Sequence, residues 1–376
     1  MSNRTPAEVF PAGEFIRDEL EERGWTQSDL AKITGRPLSA INLIITGRKA
    51  ITPETATELG SAFGTSAEFW LNLETAYRLS KVTATDETIR HRARIFELAP
   101  INEMEKRNWI RECDSPEETE SELKKFYEID SLDKIPELRL AARTSVQTGS
   151  KLMPEHLAWG MRALHLARGI PAPKYTNTAL EAGIRQLRTL AAFPEETRKV
   201  SEVLRKMGIR FVIVEHLQKT KIDGAALWDG EDWDKPVIAL SLRYDRIDSF
   251  WHTLFHELSH IKNHDSYVDV DIVRADRCLS NEELSEIEKR ANDEAADMLI
   301  RKETLQSFIL RTRPFYSKTK IIQFANRIHV HPGIIAGQLQ HRGEIDWAAN
   351  REMLVKVRDI VISGSITDGW GVRISK

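Results

Sequence analysis

At 376 residues the chain is longer than one ordinary hydrophobic core requires, so two or three domains are expected. Its 54 Lys and Arg against 57 Asp and Glu leave a net charge of −3, which excludes a uniformly basic nucleic-acid coat and confines any such contact to a local patch. Residues 1–10 hold no basic stretch leading into an apolar run, no apolar stretch nears bilayer-spanning length, and Cys113 and Cys278 are too few for a disulfide framework or a thiolate metal site; a soluble, cytoplasmic protein without membrane contact is expected.

The first eighty residues are punctuated as short helices. An apolar stripe at Phe15, Ile16 and Leu20 ends at Gly24, Thr26 caps a helix over 27–34 that stops at Gly35, and Pro37 opens a third helix bearing Leu38, Ile41, Leu43 and Ile44. Two short helices joined at Gly35-Arg36 predict a helix-turn-helix, whose second helix enters the DNA major groove. Ser39, Asn42 and Thr46 are then candidate base readers, with Gln27, Arg36, Arg48 and Lys49 on phosphates. Pro53 starts another helix to Phe63, and Ser66 caps a last one whose Phe69, Trp70, Leu71, Leu73 and Tyr77 suggest dimer packing. The stretches ITGRKAITPETA and GTSAEFWLNLETAY make this segment similar to the HigA-type antitoxins of the XRE repressor superfamily. That resemblance implies an operator-binding homodimer.

Residues 82–207 have helical spacing with Pro116 and Pro154 as starts, and carry no glycine-rich phosphate loop. Trp109 and Trp159 are read as core aromatics. Apolar β-branched runs at 209–214 and 236–242 predict two strands, with turns at Asp223-Gly224 and Asp229-Gly230 between them.

His256 and His260 stand one helical turn apart with Glu257 between them, the HExxH pattern of zinc peptidases. Residues four apart share a helix face, so both imidazoles reach one Zn²⁺, and Glu257 is placed to take a proton from metal-activated water. The metzincin extension fails because Asn263 and Ser266 stand where Gly and His are required. A thermolysin-like arrangement takes a third ligand from a later helix, and Glu288 is the expected donor, with His264 as rival. Asn292, one turn beyond Glu288, is expected to orient a ligand histidine, and His252, one turn before His256, to serve as a hydrogen-bonded support. Tyr244 and Tyr267 are weaker candidates for steadying an oxyanion, and His329, His331 and His341 weaker still.

With Glu288, Ala291 and Asn292 matching E-x-x-A-[ND] after HExxH, residues 206–300 resemble the ImmA/IrrE metallopeptidase family; NRIHVHPGIIAGQLQHRG extends the similarity toward the C-terminus. Glu294 departs from the pattern, in which an apolar aromatic is common, and with Asp293 offers competing carboxylates. The resemblance implies a substrate that is itself a regulator, such as a repressor. The expected chain is α+β and mostly helical: a helix-turn-helix bundle at 1–80, a helical linker region at 81–200, a zincin-like domain at 201–310 with a small antiparallel sheet packed on the HExxH helix, and a C-terminal helical extension at 311–376. Two functions compete: a zinc endopeptidase coupled to DNA binding, or a HigA-type antitoxin and autoregulator whose peptidase-like half only senses or binds a partner such as a toxin.

Overall fold

The computed structural model describes residues 10–81, 85–133, 140–144, 153–218, 220–230, 233–265 and 281–372. The chain divides into two compact units, Met1–Arg92 and Ala93–Lys376.

The first unit contains α1 (Ala12–Arg23), α2 (Gln27–Thr34), α3 (Leu38–Ile45), α4 (Pro53–Phe63) and α5 (Ala67–Lys81). Thr26 and Asp29 close a reciprocal capping box at the start of α2: the Asp29 N–H donates to Thr26 Oγ1 at 3.2 Å and the Thr26 N–H to Asp29 Oδ2 at 2.9 Å. Gly35 ends α2 in the left-handed region at φ 69°, where a side chain would be strained. The turn that follows sets α3 against α1, and Ile16, Leu30, Ile41, Leu59 and Trp70 close the core at 0–2% exposure. Trp70 is held by its indole N–H, which donates to Thr65 Oγ1 at 2.8 Å.

The second unit adds, after α6 (Thr85–Leu98), the helices α7 (Ile101–Lys106), α8 (Pro116–Tyr127), α9 (Pro154–Arg168), α10 (Asn177–Leu190) and α11 (Val200–Lys206). Past the sheet come α12 (Ile247–Asn263), α13 (Asn281–Leu299), α14 (Lys302–Thr312), α15 (Lys318–Ile328), α16 (Pro332–His341) and α17 (Arg358–Ser363). Among the described residues its strands are β1 (Leu140–Thr144), β2 (Arg210–Val214), β3 (Ile222–Trp228), β4 (Pro236–Leu240) and β5 (Ile366–Asp368), in the order β1-β3-β4-β2-β5.

This sheet is mixed, which corrects the antiparallel expectation. β3 pairs antiparallel with β4, which lies between β3 and β2, and β2 runs parallel to both β4 and β5. A second correction concerns Asp223-Gly224, read as a turn but lying inside β3. Gly224 serves close approach there: a Cβ would come 2.7 Å from Leu240 Cδ2 and 2.8 Å from Thr253 Cγ2.

Helices cover both sheet faces, which explains the unbroken apolar runs in β2 and β4. Phe211, Ile213, Ile238 and Leu240 join the core that contains α12, whereas Val212, Val214, Val237 and Ala239 face Trp109, Trp159 and Leu164. Helices α6 to α9 therefore form one layer of this unit, whereas α10, through Leu180, Leu187 and Leu190, and α16, through Ile334, Ile335 and Leu339, pack into the other core. At the far edge, β5 is anchored by Asp368, whose Oδ2 accepts from the Trp109 indole at 3.0 Å and from Arg162 Nε at 2.5 Å.

Candidate metal centre and nucleic-acid interface

In the first unit, Ser39, Asn42, Thr46, Arg48 and Lys49 are exposed on or just after α3. Asn42 Nδ2 donates to Gln27 Oε1 at 3.3 Å, bringing together the first residue of α2 and the middle of α3. Arg36 is instead engaged within the unit: its Nε and NH2 both donate to the Glu58 carboxylate of α4. Hydrogen bonding to Glu58 holds the Arg36 guanidinium above its ordinary range.

In the second unit, α12 is buried almost all round. Phe250, Trp251, Leu254, Phe255 and Leu258 are 0–2% exposed. Each such side chain contributes roughly 1.5–3 kcal/mol, enough to carry His256, Glu257 and His260 inward although all three are polar and 0% exposed. α13 lies against α12 with Ala291 and Ala295 fully buried, and small side chains there bring Glu288 within reach.

Three potential ligand groups converge. His256 Nε2 lies 3.0 Å from His260 Nε2 and 3.2 Å from Glu288 Oε2, and His260 Nε2 lies 3.5 Å from Glu288 Oε1. Four-coordinate zinc with bonds of about 2.0 Å needs donors about 3.3 Å apart, and these spacings are compatible with that edge length. The two-imidazole, one-carboxylate set also suits that ion chemically. Glu257 adjoins β3: the position of a Cβ on Gly224 is 3.0 Å from its Oε1.

The other candidate residues have varied settings. His264 caps the end of α12 at φ 54° and its ring sits against Tyr175 and Trp233, 6.3 and 5.7 Å between centroids, which takes it out of the donor set. Glu294 Oε2 accepts from Ser259 Oγ at 2.8 Å and from Asn263 Nδ2 at 3.2 Å, so this carboxylate docks α13 on α12, while Asp293 is exposed. Asn292 Oδ1 lies 3.3 Å from His252 Nε2, and its Nδ2 donates to the Glu288 carbonyl at 2.8 Å. His252 in turn stacks on His341 at 6.2 Å. His331 caps α16, and His329 ends α15. Tyr244 is half exposed beneath the Arg243 guanidinium, 4.4 Å from its ring. Tyr267 lies outside the described residues.

Sequence reasoning missed Asp265. Its Oδ2 lies 3.0 Å from His260 Nδ1, and both of its oxygens accept from Arg290 NH2, at 2.5 and 2.6 Å. Burial raises the Asp265 carboxyl, but hydrogen bonds from His260 and Arg290 prevail and hold it below the usual carboxylate range. The available signal was an Asp five residues past the second histidine, immediately after the helix stops.

Comparison with known proteins addresses the first unit. Residues 16–70 match the Helix-turn-helix family. An uncharacterized HTH-type transcriptional regulator of Escherichia coli, YddM, is 31% identical over 80 residues, covering 21% of this chain and 85% of that protein. The chain belongs to the helix-turn-helix family. Its helix-turn-helix domain is also similar to Virulence-associated protein I of Dichelobacter nodosus, 38% identical over 88 residues, or 23% of this chain and 80% of the relative. Among solved structures, an addiction module antidote protein of a HigA family from Coxiella burnetii is 36% identical, covering 19% of this chain and 79% of that one with a TM-score of 0.19. The helix-turn-helix assignment therefore rests on the matched sequence.

Proposed function

We propose that the chain is a DNA-binding transcriptional regulator of the HigA type, acting as a homodimer, whose larger unit holds a Zn²⁺ ion between His256, His260 and Glu288 and engages a protein partner. The observation that carries the reading is the helix-turn-helix match over residues 16–70, shared with a relative named as a transcriptional regulator, together with the exposed Ser39, Asn42 and Thr46. On operator DNA, α3 enters the major groove with these three side chains toward base edges, and Gln27, Arg48 and Lys49 contact phosphate. Binding of the purified protein to its own promoter, with a protected inverted repeat in footprinting, tests the reading. Equal affinity for promoter and unrelated DNA of the same length overturns it.

A second reading is favoured by one observation, the full burial of Glu257 beside the three-donor cluster. In this reading the larger unit hydrolyses a peptide bond of a regulatory protein such as a repressor. The zinc ion would supply Lewis acidity, and Glu257 would move the proton from the attacking water to the leaving nitrogen. Glu257→Gln separates the two readings: it retains zinc in both, and it abolishes cleavage of a co-encoded regulator only if hydrolysis is the function.

A further inference from the structure

We infer that Asp265, held by Arg290, is the positioning residue of the metal centre, fixing the tautomer of His260 and the approach of the Glu288 helix with one carboxylate. The inference rests on the zinc-site reading above and names what assembles that site.

α12 ends when His264 takes a left-handed conformation, and the Asp265 N–H then donates to the His260 carbonyl at 2.9 Å. That turn brings the carboxylate back to the helix end, where its side chain is 9% exposed and lies 3.0 Å from His260 Nδ1. An acceptor there keeps the proton on Nδ1, so Nε2 keeps its lone pair for the point it shares with the other two ligand groups. The same carboxylate accepts from Arg290, two residues past Glu288 on α13. Asp265 thus ties a ligand on α12 to the helix that carries the third ligand, and Glu294 forms a separate tie on the other side through Ser259. Both Asp265 oxygens are reached by one nitrogen of Arg290, NH2, so a lysine ammonium can take over that contact.

The test is zinc affinity of the full-length protein by competition with a chelating dye, for wild type, Asp265→Asn, Arg290→Lys and Arg290→Met. Imidazole ¹⁵N NMR of the zinc-free proteins reports the His260 tautomer. We expect one zinc per chain in wild type, a Kd raised about 10- to 100-fold in Asp265→Asn, a similar loss in Arg290→Met and near-wild-type binding in Arg290→Lys. His260 should lose its Nδ1–H preference in Asp265→Asn, a change that a purely structural role would not produce. Wild-type zinc binding matched by Asp265→Asn overturns the positioning role and leaves the metal centre standing. A wild-type protein that binds no zinc, with His256→Ala indistinguishable from it, overturns the metal centre itself.

Discussion

Gly224 of β3 leaves the room that Glu257 of α12 occupies, since a Cβ on residue 224 would fall 3.0 Å from the Glu257 Oε1 and closer still to Leu240 and Thr253. Gly224→Ala should therefore overpack the contact between sheet and helix and destabilise the second unit by about 1–3 kcal/mol. Urea unfolding followed by tryptophan fluorescence measures this. An unchanged midpoint would mean that α12 yields freely at this contact.

Glu288 and Glu294 lie on one helix yet have different roles. Glu288→Ala should abolish stoichiometric zinc binding, because it removes one of three donors 3.0–3.5 Å apart. Glu294→Ala should keep the ion and lose only the ties to Ser259 and Asn263. Metal analysis after exhaustive dialysis reads both variants, and the reverse pattern would exchange their roles.

Arg48 and Lys49 should contribute to DNA affinity through counterion release. Each substitution to Ala should reduce the slope of log affinity against log salt by about 0.9, with little change in promoter preference. Asn42→Ala should instead narrow the gap between promoter and random DNA. Fluorescence anisotropy over a salt series distinguishes these outcomes.

Stability should fall on mild acidification. His331 Nδ1 accepts from the Gly333 N–H at 3.1 Å, and burial pushes the imidazole pKa below its ordinary value. The unfolded residue binds a proton near pH 6.5 while the folded one binds it only at lower pH, so the unfolded state holds more protons between those values. Stability is then complete above about pH 6.5 and declines as pH falls through that window. His156 and His216, also lowered by burial, add in the same direction. Asn at 331 keeps a capping acceptor that does not titrate, so thermal melts of His331→Asn between neutral and mildly acidic pH should show a shallower decline than wild type.

Local punctuation was legible in the sequence where one residue fixes one end of one element. α2 runs between its capping Thr26 and the left-handed Gly35, and α4 runs from Pro53 to Phe63 as its punctuation predicts. The i, i+4 spacing likewise puts His256 and His260 side by side, because a helix allows nothing else. Layering was not legible. The helices before residue 200 have apolar faces, but nothing local says that Trp159 meets β2, where its indole N–H donates to the Val214 carbonyl at 2.9 Å. β1 and β5 escaped notice because LAART and ITD lack the unbroken β-branched and apolar run that marks β2 and β4. Asp265 escaped because it belongs to no helical row; its position depends on the turn at His264.

The bond from Asp368 to Trp109 joins residues 259 positions apart, and it secures the strand that closes one edge of the sheet. A ribosome has emitted the whole first unit long before it reaches that strand. At about 5–20 residues per second the interval is roughly 15–55 seconds. For that time a nascent polypeptide carries its finished N-terminal fold ahead of a partner that still lacks its edge strand, so any activity of the larger unit waits until residues 366–368 have emerged.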